Sequence, residues 1–172
     1  MTARPSAAAL VLALAVPAIF LHTHYQPHAS VGSVDVYLTD VAILVVAAVA
    51  CADGVVHGFG PLRAGIAVWI PAVAFLALLV ASVFYARAVI GGYAIGSHLT
   101  SAAKFCEYAL LAPSAVLALR RPVDRRALFW AVVLWSSFLT LIAVLQFFGV
   151  VDEFKGRRPG QREPSYIGIH DL

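Results

Sequence analysis

Apolar residues fall in five long runs along this chain, with the polar residues gathered in short intervals between them. The runs are Ser6 to Leu21, Asp35 to Ala52, Ala64 to Ala86, Leu99 to Leu119 and Ala127 to Phe148. Each is close to the roughly 20 residues that a helix needs to cross a hydrocarbon layer. Pro71 is the one interruption of the third run, and the fourth carries Lys104 and Glu107 inside it. The intervals hold turn formers: Gln26 to Ser33, Asp53-Gly54 with Gly58 to Pro61, Gly91-Gly92-Tyr93 with Gly96-Ser97, and Arg120 to Arg126. This pattern predicts an all-α, polytopic integral membrane protein with about five transmembrane helices. Residues 1–172 form a single helical membrane domain in this reading, and 149–172 form an external basic loop leading to a further helix.

The first run follows Arg4 and resembles a signal peptide. No small-x-small cleavage site follows the run before His22, and Pro17 sits late in the run, so it is expected to stay as the first helix. The start of the second helix has two readings. Thr39 can cap a helix beginning at Asp40, with Gly32 to Leu38 extended and Val34, Val36 and Leu38 on one side. A helix of Asp40 to Ala52 is too short to span, which favours a start nearer Ser33 and makes Asp40 a polar inward-facing residue.

Composition removes the soluble alternative. The chain is 62% hydrophobic and 12% charged, with mean hydropathy +0.89, whereas a soluble domain is nearer a quarter charged. Cys51 and Cys106 lie near or within apolar segments and lack CxxC spacing, so they define no disulfide framework. No basic stretch interleaved with aromatics points to nucleic acid.

Charge sets the orientation. Four arginines in the seven residues Arg120 to Arg126 belong on the cytoplasmic side. Counting back places the N-terminus and the Arg63 loop in the cytoplasm, and the histidine-rich and Gly91 loops outside. The segment after the fifth helix is then external, yet it holds Lys155, Arg157, Arg158 and Arg162. Arginine grips phosphate oxygens through a planar fork, and Gly156, Pro159 and Gly160 keep the backbone open to an anion. A phosphate or diphosphate headgroup suits this cluster. The alternative is a solvated loop partly neutralised by Asp152, Glu153 and Glu163.

Lys104 and Glu107 are three residues apart and share a helix face one to two turns from the external end. Charge inside a bilayer costs about 2.5–3.5 kcal/mol per group at the centre, less where the side chain snorkels. The pair is expected either to bridge itself, facing other helices, or to line a substrate groove. His22, His24 and His28 have no carboxylate or cysteine beside them, so no metal site is expected. None of the histidines sits mid-span as a haem ligand would, no GxSxG motif is present, and no cofactor is expected.

Three stretches carry a family resemblance. Phe20-Leu21-His22 through Val31 to Asp40 resembles the first external loop and second-helix start of the O-antigen ligase and polymerase family of bacterial envelope proteins. Leu99-Thr100-Ser101-Ala102-Ala103-Lys104-Phe105-Cys106-Glu107-Tyr108 resembles the opening of its fourth helix. Phe147-Phe148-Gly149 through Arg157-Arg158-Pro159-Gly160, then Glu163-Pro164-Ser165-Tyr166-Ile167-Gly168, is similar to its Arg–Gly segment followed by Pro–Asn and a new helix. Ser165 stands where Asn is usual, and Arg162-Glu163 is more charged than typical.

The resemblance implies a membrane glycosyltransferase of polysaccharide biosynthesis. It would move a glycan from an undecaprenyl-diphosphate carrier to a glycan or lipid acceptor, at the outer face of the cytoplasmic (inner) membrane. It assigns Arg157, Arg158 and Arg162 to the diphosphate, with Lys104 as a further contact. It also implies about twice as many helices, and a catalytic histidine on a large external loop that this chain lacks; His170 does not take that role. The 172 residues are thus expected to be the N-terminal part of a larger protein and inactive as a transferase alone. A non-catalytic membrane scaffold or a small transporter are the competing readings.

Overall fold

A computed structural model describes residues 4–21, 26–31, 34–148 and 150. The described chain is mostly helical, and its element order is α1 (Ala7–Phe20), β1 (His28–Val31), β2 (Val34–Tyr37), α2 (Leu38–His57), α3 (Gly60–Ala64), α4 (Ile66–Val89), α5 (Ile95–Ala109), α6 (Leu111–Ala118) and α7 (Pro122–Phe147). Three helices, Leu38–His57, Ile66–Val89 and Pro122–Leu145, are long and apolar enough to cross a membrane.

The other two apolar runs depart from a single spanning helix, for different reasons. The first yields only the 14 residues of α1, about 21 Å of rise, between a Ser6 cap and an extended Leu21. The fourth divides into α5 and α6. Pro113 explains the break: its ring collides with the carbonyl four residues earlier, and residue 109 is where α5 ends. Pro71 causes no such division and lies inside α4.

The purely α expectation also misses a short antiparallel hairpin. β1 pairs with β2 in the register His28↔Tyr37 and Ser30↔Asp35, and Ser30 Oγ donates to Asp35 Oδ1 at 2.7 Å. Helix α2 therefore starts at Leu38 and not near Ser33. The extended reading of the residues before Asp40 is the one adopted. Length is recovered at the other end, because α2 continues through Asp53-Gly54 to His57. Phe59 folds back over Gly54, its ring only 2.5 Å from where a Cβ would stand.

The core lies where α1, α2, α6 and α7 meet. Ala8, Leu12, Val46 and Ala118 are buried there, with Val11, Ala15, Val49, Leu111, Ala115 and Leu128 packed around them. Small side chains let helix backbones approach closely, which is how membrane helices gain dispersion contacts when lipid removes the hydrophobic drive. The outward faces of α4 and α7 are apolar, with Phe75, Leu78, Phe84, Leu134 and Leu141 all exposed. Water would penalise such surfaces and hydrocarbon would not.

Hydrogen bonds define two ends of this body. At one end Asp124 of α7 accepts from Ser6 N at 2.7 Å, Arg121 N at 3.1 Å and the Arg121 guanidinium. Arg121 also donates to Arg4 O. At the other end Gln26 and Thr39 tie the end of α1 to the start of α2. Thr39 Oγ1 donates to Ala18 O at 2.9 Å, Thr39 N donates to Gln26 Oε1 at 2.9 Å, and Gln26 Nε2 donates to Ala18 O and Leu21 O.

Candidate functional site

Among the described residues, charge is divided unequally between those ends. Arg4, Arg63, Arg120, Arg121, Arg125 and Arg126 collect at the end where α2 finishes and α7 begins, against Asp53 and Asp124. Asp35, Asp40 and Glu107 lie toward the opposite end, with Lys104 and Arg87.

The arginine end is built for structure. Arg120 Nε lies 3.2 Å from Asp53 Oδ2, and its other nitrogens donate to His57 O at 3.2 Å and Gly58 O at 2.7 Å. These are the last carbonyls of α2, which attract a cation because the helix leaves them unpaired. His57 Nδ1 is 3.1 Å from Asp53 Oδ1 on the same helix. Sequence reasoning missed this cluster, because Asp53-Gly54 has the composition of a turn.

The other end carries the candidate site. Asp40 is the third residue of α2, and its Oδ2 accepts from Tyr37 N at 2.8 Å. A carboxylate there satisfies one of the free amides of the first turn and meets the positive end of the helix dipole. The same oxygen receives Lys104 Nζ of α5 at 2.6 Å. The ammonium also sits 4.8 Å from the centroid of the Tyr37 ring, a position that the ring quadrupole favours. The Asp40 side chain is 10% exposed and that of Lys104 is 30% exposed. The site is a shielded ion pair with one open side.

Glu107 does not form the bridge to Lys104 that was the first of its two expected parts. The ammonium of Lys104 reaches across to α2, and no ion pair joins Lys104 to Glu107 among the described residues. Helical spacing placed the two on one face. A carboxylate already fixed at a helix start is a better-organised partner than a flexible side chain on the same helix. Glu107 Oε1 is buried, with no hydrogen-bond partner among the described residues, and it stays within electrostatic reach of both Asp40 and Lys104. Tyr108 lies beside it against Thr39.

The other candidates divide by position. Arg157, Arg158 and Arg162 lie outside the described residues, as do His22 and His24. His28 packs its ring against Tyr37 at 5.5 Å, and His98 stacks on Tyr93 at 4.6 Å. Both cysteines are free thiols. Tyr37 and Gln26 were not singled out in the sequence, and Thr39 was read only as a cap for α2, with no signal that this stretch docks on α1.

No family model, curated protein or solved structure matches the chain in comparisons with known proteins.

Proposed function

We propose that this chain is the N-terminal part of a multi-pass glycan transferase of the O-antigen ligase and polymerase kind, set in the cytoplasmic membrane of a bacterium with its N-terminus inside. In this reading the chain crosses about five times, through α1, α2, α4, the broken α5–α6 pair and α7. The arginine end faces the cytoplasm, as the positive-inside rule requires. The Asp40–Lys104 end faces outward, where an undecaprenyl-diphosphate-linked glycan and its acceptor would meet.

One observation carries the reading. Two of the three stretches that bear the family resemblance lie 64 residues apart at Asp40 and Lys104, and they meet in a single ion pair. The third stretch follows α7, which runs from the arginine end toward the end that holds this pair. Arg157, Arg158 and Arg162 would then supply diphosphate contacts beside it, several guanidinium forks suiting a multiply charged group.

The test is titration of farnesyl diphosphate against the full 172-residue chain in lipid nanodiscs. Arg157→Gln, Arg158→Gln and Arg162→Gln together should weaken binding by about tenfold or more, since each lost charge-assisted bond is worth roughly 1.5–3 kcal/mol. The matching lysine changes should fall between, because charge is kept and the fork is lost. A triple glutamine variant that binds as wild type does would overturn the diphosphate assignment.

A further inference from the structure

Helix α5 is amphipathic in a way that the other apolar helices are not. Ser97, Thr100, Ser101, Lys104, Glu107 and Tyr108 fall on one stripe about 120° wide at 3.6 residues per turn. Apart from His98, the rest of the helix is apolar: Phe105 meets Phe75 of α4 at 6.0 Å, and Ala102 is buried. Toward its outer end the stripe is uncovered, with Ser97 and Ser101 exposed.

Hydrogen-bond accounting then points to a ligand. The hydroxyls of Ser97, Thr100 and Ser101 donate to Ala94 O, Gly96 O and Ser97 O of their own helix, which leaves their oxygens free as acceptors. Of the three ammonium donors of Lys104, one goes to Asp40. Glu107 Oε1 is a buried acceptor with nothing donating to it among the described residues. The serine and threonine hydroxyls of the stripe do not repair this, since each has spent its one proton. A buried unmet carboxylate oxygen is costly. An incoming group that both donates and accepts, repeatedly and at close spacing, satisfies the stripe. Sugar hydroxyls have that character; a diphosphate, which only accepts, would repel Glu107.

We propose that the Thr100–Lys104–Glu107 face of α5 binds the sugar portion of the lipid-linked substrate, a subsite separate from the arginine cluster that holds the diphosphate. The inference rests on the transferase reading for the lipid carrier, and on the α5 stripe alone for the sugar. Glu107 accepts from a sugar hydroxyl, Lys104 donates to one, and the exposed serines admit water and glycan from the outer edge.

Two measurements on the full chain test it. With Cys51 and Cys106 replaced by alanine, Ser101→Cys should react with a charged, membrane-impermeant thiol reagent, and Ala102→Cys, on the opposite, buried face, should stay inert. Equal inertness of both would overturn the open stripe. Farnesyl diphosphate and its N-acetylglucosamine-linked form are then titrated side by side. Wild type should bind the sugar-linked probe about tenfold more tightly, as one charge-assisted hydrogen bond allows. Glu107→Ala should remove that preference and leave binding of the bare diphosphate unchanged, which also reports that the variant is folded. Glu107→Gln, which keeps an acceptor without the charge, should retain part of it. Absence of a sugar preference in wild type, or a preference that survives Glu107→Ala, would overturn the proposal. Loss of the arginine effect with the sugar preference intact would instead remove the diphosphate assignment and leave this subsite standing.

Discussion

Asp40→Asn is the most informative single change in this chain, because it separates the two bonds that the carboxylate makes. Asparagine keeps an oxygen that can still accept from Tyr37 N, now 2.8 Å away, so the cap at the start of α2 survives. The partnership with Lys104 Nζ at 2.6 Å loses its charge. Exposed pairs are worth about 0–1 kcal/mol, and breaking a buried pair costs about 3–5 kcal/mol. Side-chain exposures of 10% and 30% put this pair between those limits, so a loss of about 2 kcal/mol is expected.

Lys104→Met should cost a similar amount, as it leaves Asp40 uncompensated and removes the ammonium from the Tyr37 ring. The double variant should lose less than the sum, with a coupling of about 1–2 kcal/mol, because no lone charge remains. Reversible SDS titration of the chain in mixed micelles, followed by tryptophan fluorescence, measures all four corners of the cycle. A second cycle, Lys104→Met with Glu107→Gln, should be close to additive. Additivity in the first cycle together with strong coupling in the second would refute the pairing described here.

Asp124→Ala should destabilise the chain by about 2–4 kcal/mol in the same assay, since it strands the amides of Ser6 and Arg121 at a residue only 1% exposed; a loss below about 0.5 kcal/mol would mean that this end is not held as described. Gly54→Val should cost about 1–3 kcal/mol because its side chain meets the Phe59 ring, and Phe59→Ala in the same chain should recover most of the loss. Impermeant thiol labelling of single cysteines in intact cells should reach positions 30 and 160 and leave position 125 unmodified; modification at 125 would reverse the orientation.

Much of this protein was legible in the residue pattern because helices long and apolar enough to cross a bilayer are specified locally. Satisfying every backbone group inside one segment takes about 20 apolar residues in a row, and such runs are visible without knowing what packs against them. The long helices α2, α4 and α7 follow from that rule. Helix boundaries followed less well. Asp53-Gly54 has turn composition but lies within α2, because Phe59 packs over Gly54 and Arg120 ties down the last carbonyls. Pro71 and Pro113 look alike in the sequence, yet only the second divides its run.

Residues 157, 158 and 162 were singled out from charge and topology alone, and they lie outside the described structure. Lys104 and Glu107 were visible as charges in an apolar run, and helical spacing rightly put them on one face. Spacing carries no information about the neighbouring helix, however. The partner of Lys104 is a carboxylate 64 residues away, already oriented by the first turn of α2 and brought close when Thr39 and Gln26 dock that turn on α1. Sequence determines which groups resist burial, because that is a property of each side chain in hydrocarbon. Tertiary packing decides which of them meet, because pairing depends on distances between helices that no single segment encodes.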